Sequence, residues 1–416
     1  MAETLVIHGG KKLSGEVTVS SAKNSAVALL PAVVLAQKPV KIFDVPRISD
    51  VSELVYLLSL LNIYVEVDGS TLTIDPTGID NIVLDDEACT RLRASYYFMG
   101  ALLGRFRYCK MLSPGGCYLG PRPYDLHLKG FEALGAHIVQ GDGFIELFAE
   151  ELKGTDIFLD ISSVGATINI IMAAVYATGK TVIHNAAKEP EIIDLTTMLN
   201  KMGAKIRGAG TSDITIEGVK ELGGCMHEII PDRIEAGTYI VMAAAAGENV
   251  TVRNVIPQHI DALLSKLEEM GVVMDIGRDY VKVIGTKNLH NCEVKTLPYP
   301  GFATDLQQPL TVLMTKALGT SKVTETIYVE RFKHCRELNK MGADIEVKEG
   351  ESVIHGGTLL KGCDVTATDL RAGAAMIIAG LIAEGTTTIH DAYHIFRGYA
   401  DVVNKLKGLG ADVEAI

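Results

Sequence analysis

The chain has 416 residues and carries 39 lysines and arginines against 51 aspartates and glutamates, a formal net charge of −12. That length exceeds what one hydrophobic core sustains, so two domains are expected, and the acidic balance excludes a generic binder of nucleic acid or anionic membrane. Seven cysteines, an odd number with no C-x-x-C pair, exclude a disulfide framework and a zinc ribbon, and with no leader pattern at its start the chain is expected to be cytosolic.

Taken in chain order, two kinds of predicted helix alternate. Residues 20–36 open on Ser20-Ser-Ala-Lys23 and run into small and apolar residues; an amphipathic segment follows and stops at Leu58-Ser-Leu-Leu61-Asn62. The pair then returns as residues 90–103 with Phe131-Glu-Ala-Leu134-Gly135, residues 162–177 with Leu199-Asn-Lys-Met202-Gly203, and residues 232–246 with Leu267-Glu-Glu-Met270-Gly271. Residues 304–318 with Leu338-Asn-Lys-Met341-Gly342, and 368–383 with Leu406-Lys-Gly-Leu409-Gly410, complete the series. Successive stops lie about 70 residues apart, a spacing that internal repetition explains. Each amphipathic helix should end at a C′ residue tolerant of positive φ and release a strand such as Ala343-Asp-Ile-Glu-Val347. The other helices, typified by residues 372–383, are apolar on every face and too short for a bilayer, which needs roughly 20 residues, so they should be buried in protein. Short β-rich runs such as Thr181-Val-Ile-His184 and Val250-Thr-Val-Arg253 complete each repeat. The economical α/β arrangement is two lobes of three repeats, with helices inside and sheets outside.

Cations recur where these helices begin. Lys23, Arg93, Arg233 and Arg371 lie within about a turn of a predicted N-terminus, where the helix dipole disfavours positive charge; a bound anion would reverse that. Asp305 occupies the same position in its repeat and on the residues alone also fits a plain N-cap. In Ser113-Pro-Gly-Gly-Cys-Tyr-Leu-Gly-Pro-Arg-Pro123, prolines and glycines surround Cys117, five residues from Arg122, which suits an exposed turn carrying a reactive thiol. Gly179-Lys180-Thr181 lacks the earlier glycine of a phosphate loop, and no G-x-G-x-x-G follows a strand. The eleven histidines show no metal-ligand spacing; His184, His334 and His394 fit turn or surface positions.

Lys23-Asn24, Arg93-Ala-Ser95, Pro114-Gly-Gly-Cys117, Arg122-Pro-Tyr-Asp-Leu126-His127 and Ser163-Val-Gly-Ala-Thr167 resemble the UDP-N-acetylglucosamine enolpyruvyl transferases. So do Glu189-Pro-Glu191, Pro231-Asp-Arg-Ile-Glu235, Thr304-Asp305, Glu325-Thr-Ile327, Arg331-Phe332, Ala367-Thr-Asp-Leu-Arg371 and His394-Ile-Phe-Arg397-Gly-Tyr399, so the match is collinear over essentially the whole chain. The resemblance implies the inside-out α/β barrel shared with EPSP synthase. It implies lobes of residues 22–230 and of residues 1–21 plus 231–416, with the active site in the cleft between them and the Cys117 loop as a lid. The implied reaction moves the enolpyruvyl group of phosphoenolpyruvate onto the 3′-hydroxyl of UDP-N-acetylglucosamine by addition and elimination, with no metal or organic cofactor. In it Cys117 is the general acid, which can also attack phosphoenolpyruvate, and Asp305 is the candidate base; a positioned acid is typically worth about 10²–10⁴-fold. Lys23, Arg122 and Arg397 correspond to ligands of the phosphate, while Arg331 and Arg371 face the carboxylate, where a planar fork suits the geometry. Asn24 sits beside both substrates and, with Asp305, holds the sugar. Arg93, Arg122, Pro123, Tyr124, Asp125, Leu126, Ser163, Val164, Gly165 and Ile327 correspond to further UDP-N-acetylglucosamine positions. Asp369 orients Arg371 or sits near the transferred group.

Four departures stand out. Ser21 replaces a usual glycine, Ala303 a usual proline, Val329-Glu330 a usual Glu-Asn, and Phe396 a usual aspartate beside Arg397. They leave open a catalytically weakened paralogue that binds UDP-N-acetylglucosamine as a regulator. EPSP synthase activity is the other rival, and the Pro-Gly-Gly-Cys loop points away from it.

Overall fold

The backbone turns left-handed at every one of the six helix stops: φ is +58° at Asn62, +98° at Gly135, +110° at Gly203, +86° at Gly271, +99° at Gly342 and +91° at Gly410. The computed structural model describes residues 4–416 except 81, 115–123, 142 and 287. The residue after the stop reaches back to the first residue of the signature: Ala136 N donates to Phe131 O, Ala204 N to Leu199 O, Ala343 N to Leu338 O and Ala411 N to Leu406 O, all at 3.0–3.1 Å. This is the Schellman closure, and it explains why an apolar residue stands four places before the glycine. A Cβ in that conformation costs about 1–2 kcal/mol, so glycine or asparagine fills the place. The helices so ended are Ser49–Leu60, Asp125–Ala133, Pro190–Lys201, Asp261–Glu269, Lys333–Lys340 and Val402–Gly408.

The chain divides into two units: one runs to Ser20 and resumes over Pro231–Ile416, the other is Ser21–Ile230, so the division falls one residue before the expected crossing. In the first unit the apolar helices Arg233–Ala246, Thr304–Lys316 and Leu370–Ile382 pack on one another. In the second, Tyr97–Phe106 packs against both Lys23–Ala32 and Val164–Ala174. Small residues set the approach there: a Cβ on Gly100 would stand 2.4 Å from Asn169 O, and one on Gly104 2.5 Å from Met172 O. The large side chains beside them, such as Leu102, Ile170 and Ile171, are fully buried, each contributing about 1.5–3 kcal/mol.

Residues 90–103 do not form the single helix expected. Leu92 is extended (φ −116°, ψ 115°), so Ala88–Arg91 and a 3₁₀ turn at Arg93–Tyr96 precede Tyr97–Phe106. Ser95 Oγ donates to Cys89 O across the break and makes that bend self-satisfied.

Each repeat closes one small sheet: a short strand runs parallel to a longer one, which pairs antiparallel with a hairpin. Glu293–Lys295, Thr320–Thr324, Glu351–His355 and Asp344–Lys348 show the order. In Tyr108–Leu112, Phe144–Phe148 and His137–Gly141 the parallel partner shrinks to a bridge at Leu84. Burial alternates along the strands, so one face meets the helices and the other meets water. The first strands belong to late sheets. Thr4–His8 lies between Thr386–His390 and Asp412–Ala415, and Leu13–Thr18 runs parallel to Gly247–Arg253. Beside the two crossings, Asp232 N donates to Ser20 O at 2.8 Å and Ala22 N to Ile230 O at 2.7 Å. Among the described residues no helix is long and apolar enough to cross a membrane.

Candidate active site

Three of the apolar helices begin on a side-chain cap: Ser163 accepts from Ala166 N, Asp232 from Ile234 N and Glu235 N, and Asp369 from Arg371 N and Ala372 N. The helix Thr304–Lys316 has Ala303 at its N-cap and no side-chain cap. Asp305 is therefore not a cap. Its carboxylate turns to two guanidinium groups: Oδ1 accepts from Arg331 Nη1 at 2.6 Å, and Oδ2 from Arg371 Nη2 and Nε at 3.1 and 3.2 Å. Both arginines are buried, while Asp305 keeps 24% of its side chain exposed. Burial would raise this carboxyl, but Arg331 and then Arg371 outweigh it and hold Asp305 well below the ordinary carboxylate range.

Buried polar groups hold the cluster. Gln307 Nε2 donates to Arg331 O at 2.8 Å, and Gln308 Nε2 to Asp369 Oδ2 at 3.4 Å. Asp369 thus fixes the Arg371 backbone and the helix start, while the Arg371 guanidinium goes to Asp305. Glu325 Oε1 accepts from Thr296 Oγ1, Ile327 N and Tyr328 N, and Oε2 accepts from Thr304 Oγ1, so one buried carboxylate ties the Ile327 turn to the start of the Asp305 helix. Its sequence context marked Glu325 only as part of a motif; the β-run ending at Thr324 and the turn after it were the available signal. His334 corrects its expected surface position: it is fully buried beside Cys335, and burial pushes its imidazole down to about 3. His184 closes the strand Lys180–His184, and His394 sits half-buried in the turn Tyr393–Phe396 that leads to Arg397. Burial and then Arg397 push the His394 imidazole down, while Asp369 and Asp391 oppose them.

In the other unit, Lys23 is the first residue of its helix and pairs with buried Asp50 at 2.8 Å. Asn24 Nδ2 donates to Glu191 Oε1 at 3.2 Å. Arg93 lies 5.1 Å from the Tyr124 ring centroid and 5.9 Å from that of Tyr96, within cation–π range. Tyr96, Tyr124 and His127 meet edge to face. Asn169 Oδ1 accepts from Gly100 N, so its Nδ2 donates to His127 Nδ1 at 2.8 Å, which leaves the imidazole proton on Nε2. Burial and then Arg93 push His127 down to about 3. Gly165 faces this wall; a Cβ there would stand 2.9 Å from both His127 Cε1 and Tyr96 Oη. Asp125 and Leu126 begin the helix Asp125–Ala133, and Ser163 and Val164 begin Val164–Ala174. The expected residues Cys117, Arg122 and Pro123 lie outside the described residues.

The structure accommodates the four departures. Ser21 Oγ donates to Asp44 O, Ala303 packs on the core at φ −68°, Phe396 does likewise, and Glu330 is exposed with its carbonyl accepting from Phe332 N.

The model for EPSP synthase (3-phosphoshikimate 1-carboxyvinyltransferase) matches residues 7–406. This chain belongs to that family. Among its relatives, UDP-N-acetylglucosamine 1-carboxyvinyltransferase 2 of Staphylococcus aureus is 56% identical over 412 residues, covering 99% of this chain and 98% of the relative. The protein of the same name from Listeria monocytogenes is 55% identical over 413 residues, with coverages of 99% and 98%. Of solved structures, the enolpyruvyl transferase NikO from Streptomyces tendae aligns with a TM-score of 0.90 at 28% identity, covering 100% of this chain and 99% of that one. An EPSP synthase from Acinetobacter baumannii aligns at 0.75 and 18% identity, with 99% of each chain covered, which bears on the fold alone. The family member has the expected EPSP synthase-like α/β fold, with helices inside and sheets outside.

Proposed function

We propose that this chain transfers the enolpyruvyl group of phosphoenolpyruvate to the 3′-hydroxyl of UDP-N-acetylglucosamine, releasing phosphate, as the first committed step of peptidoglycan synthesis. The near full-length identity to UDP-N-acetylglucosamine 1-carboxyvinyltransferases carries this reading. The reaction belongs in the cytoplasm.

Cys117 delivers a proton to the methylene carbon of phosphoenolpyruvate while the sugar 3′-hydroxyl attacks the adjacent carbon. A tetrahedral ketal forms, and loss of phosphate with a methyl proton restores the double bond. Lys23, Arg122 and Arg397 take the phosphate; Arg331 and Arg371 take the carboxylate. Asn24 lies beside both substrates and, with Asp305, orients the sugar. Arg93, Arg122 to Leu126, Ser163 to Gly165 and Ile327 hold the rest of the nucleotide sugar. Asp305 accepts the hydroxyl proton, which demands a change, because both its oxygens accept from arginine. A substrate carboxylate competing for those two forks frees Asp305 to act as a base.

Phosphate release from phosphoenolpyruvate tests the function, with UDP-N-acetylglucosamine and shikimate 3-phosphate as parallel acceptors. Release with the nucleotide sugar alone is expected, and Cys117→Ala should abolish it. Silence with both acceptors overturns the reading.

A further inference from the structure

We infer that Tyr399, with Thr238 behind it, is a positioning residue that aims the Arg371 guanidinium at the anion it binds. This rests on the proposed role of Arg371 toward the phosphoenolpyruvate carboxylate.

The observation is a chain of hydroxyl groups whose protons can be assigned. Arg371 is 2% exposed and uses Nε and Nη2 on Asp305, while its third nitrogen, Nη1, has no hydrogen-bond partner. Tyr399 is 3% exposed, and its ring centroid lies 5.4 Å from Arg371 Cζ. Thr238, equally buried, donates its single proton to Ile234 O at 2.8 Å. Thr238 Oγ1 also lies 2.9 Å from Tyr399 Oη. With the threonine proton committed to the helix carbonyl, the tyrosine must be the donor in that second bond. Its oxygen then has only lone pairs left, and the charge beside it is the Arg371 guanidinium. Burial raises the Tyr399 phenol and the Arg371 charge opposes that rise, as a phenol oxygen turned to a cation requires.

The path ends on rigid structure. Ile234 and Thr238 lie on the first turns of Arg233–Ala246, itself capped by Asp232, so the backbone of one apolar helix sets the side chain of an arginine on another. Tyr399 N also donates to Ile395 O at 3.1 Å, which places Tyr399 on the same turn as Arg397. One turn thus carries a proposed phosphate ligand and the prop for a proposed carboxylate ligand. A core role alone would need neither hydroxyl, and phenylalanine and valine would serve.

Tyr399→Phe keeps the ring and removes the oxygen; Thr238→Val keeps the shape and removes the acceptor; Thr238→Ser keeps the acceptor. The first two should each raise the KM for phosphoenolpyruvate roughly tenfold, the size expected when a buried charge loses the polar oxygen set beside it, with the KM for UDP-N-acetylglucosamine unchanged. Thr238→Ser should behave as the parent protein. An unchanged phosphoenolpyruvate KM in Tyr399→Phe, or equal losses for both substrates in all three variants, overturns the assignment. Tyr399→Phe reads the relay even if Thr238→Val fails to fold. The parent protein's turnover with UDP-N-acetylglucosamine judges the function separately. Were it silent, calorimetric titration of phosphoenolpyruvate into the same proteins would read the relay, with the same ratio expected.

Discussion

Gly165 shows how tightly single residues are specified at this site. A methyl group there must displace the edge of His127 or the Tyr96 hydroxyl, and His127 is held by Asn169, whose amide is fixed in turn by Gly100. Gly165→Ala should therefore cost about 1–3 kcal/mol in a denaturant titration, the usual range for overpacking, and should weaken UDP-N-acetylglucosamine binding. A variant of unchanged stability and affinity would mean that the His127 wall is soft. The family resemblance singled out Lys23, Asp305, Arg331 and Arg371 before any coordinates. Their pairings were not legible, because Asp50 and Glu191 reach the first helix across 27 and 167 positions, distances at which local patterning carries no information. Nor could residue type alone separate a cap from a clamp at Asp305. The choice depended on where Arg331 and Arg371 come to lie.

At the level of elements, the start of Thr304–Lys316 is the informative case. Its N-cap, Ala303, has φ −68° and ψ 128°, values a proline adopts without strain, and the preceding Phe302 is extended in a bridge to Thr296. Ala303→Pro should raise stability by about 0.4–1 kcal/mol by stiffening the unfolded chain, measured as a shift in thermal midpoint. A lower midpoint would show that the Ala303 amide is engaged. The six repeats themselves were readable because the Schellman turn demands glycine or asparagine at one place and an apolar residue four before it. The break at Leu92 was not, since nothing in residues 90–103 forbids a continuous helix; the extended Leu92 and the Ser95 to Cys89 bond are features of the folded chain alone.

For the molecule as a whole, the buried carboxyl of Glu235 gives a pH signature. Burial raises it from 4.5 to about 7, with Lys405 opposing the rise and Asp232 adding to it. Lys405 Nζ reaches Glu235 Oε1 at 2.5 Å and Ser20 Oγ at 2.6 Å. Between those two values the native carboxyl keeps a proton that the unfolded chain has released, so its contribution to stability falls as pH rises through the window. His127 and His334, pushed from 6.5 to about 3, act in the opposite sense below 6.5, because there the unfolded chain binds the extra protons. Asp305, held below its ordinary range, is ionised in both states across the window and leaves the slope alone. Glu235→Gln should therefore make stability rise more steeply with pH up to 6.5 and remove a decline above it. Denaturation midpoints at several pH values check this, and superimposable curves for the two proteins would sink it. The pairing of Thr4–His8 with Thr386–His390 and Asp412–Ala415, two strands near the far end of the sequence, also bears on synthesis. Thr4–His8 leaves the ribosome long before its partners, since Thr386–His390 and Asp412–Ala415 flank it. The described strands of the inserted unit, Ser21–Ile230, pair within that unit as soon as it emerges, while Thr4–His8 must wait unpaired through nearly four hundred further residues of translation.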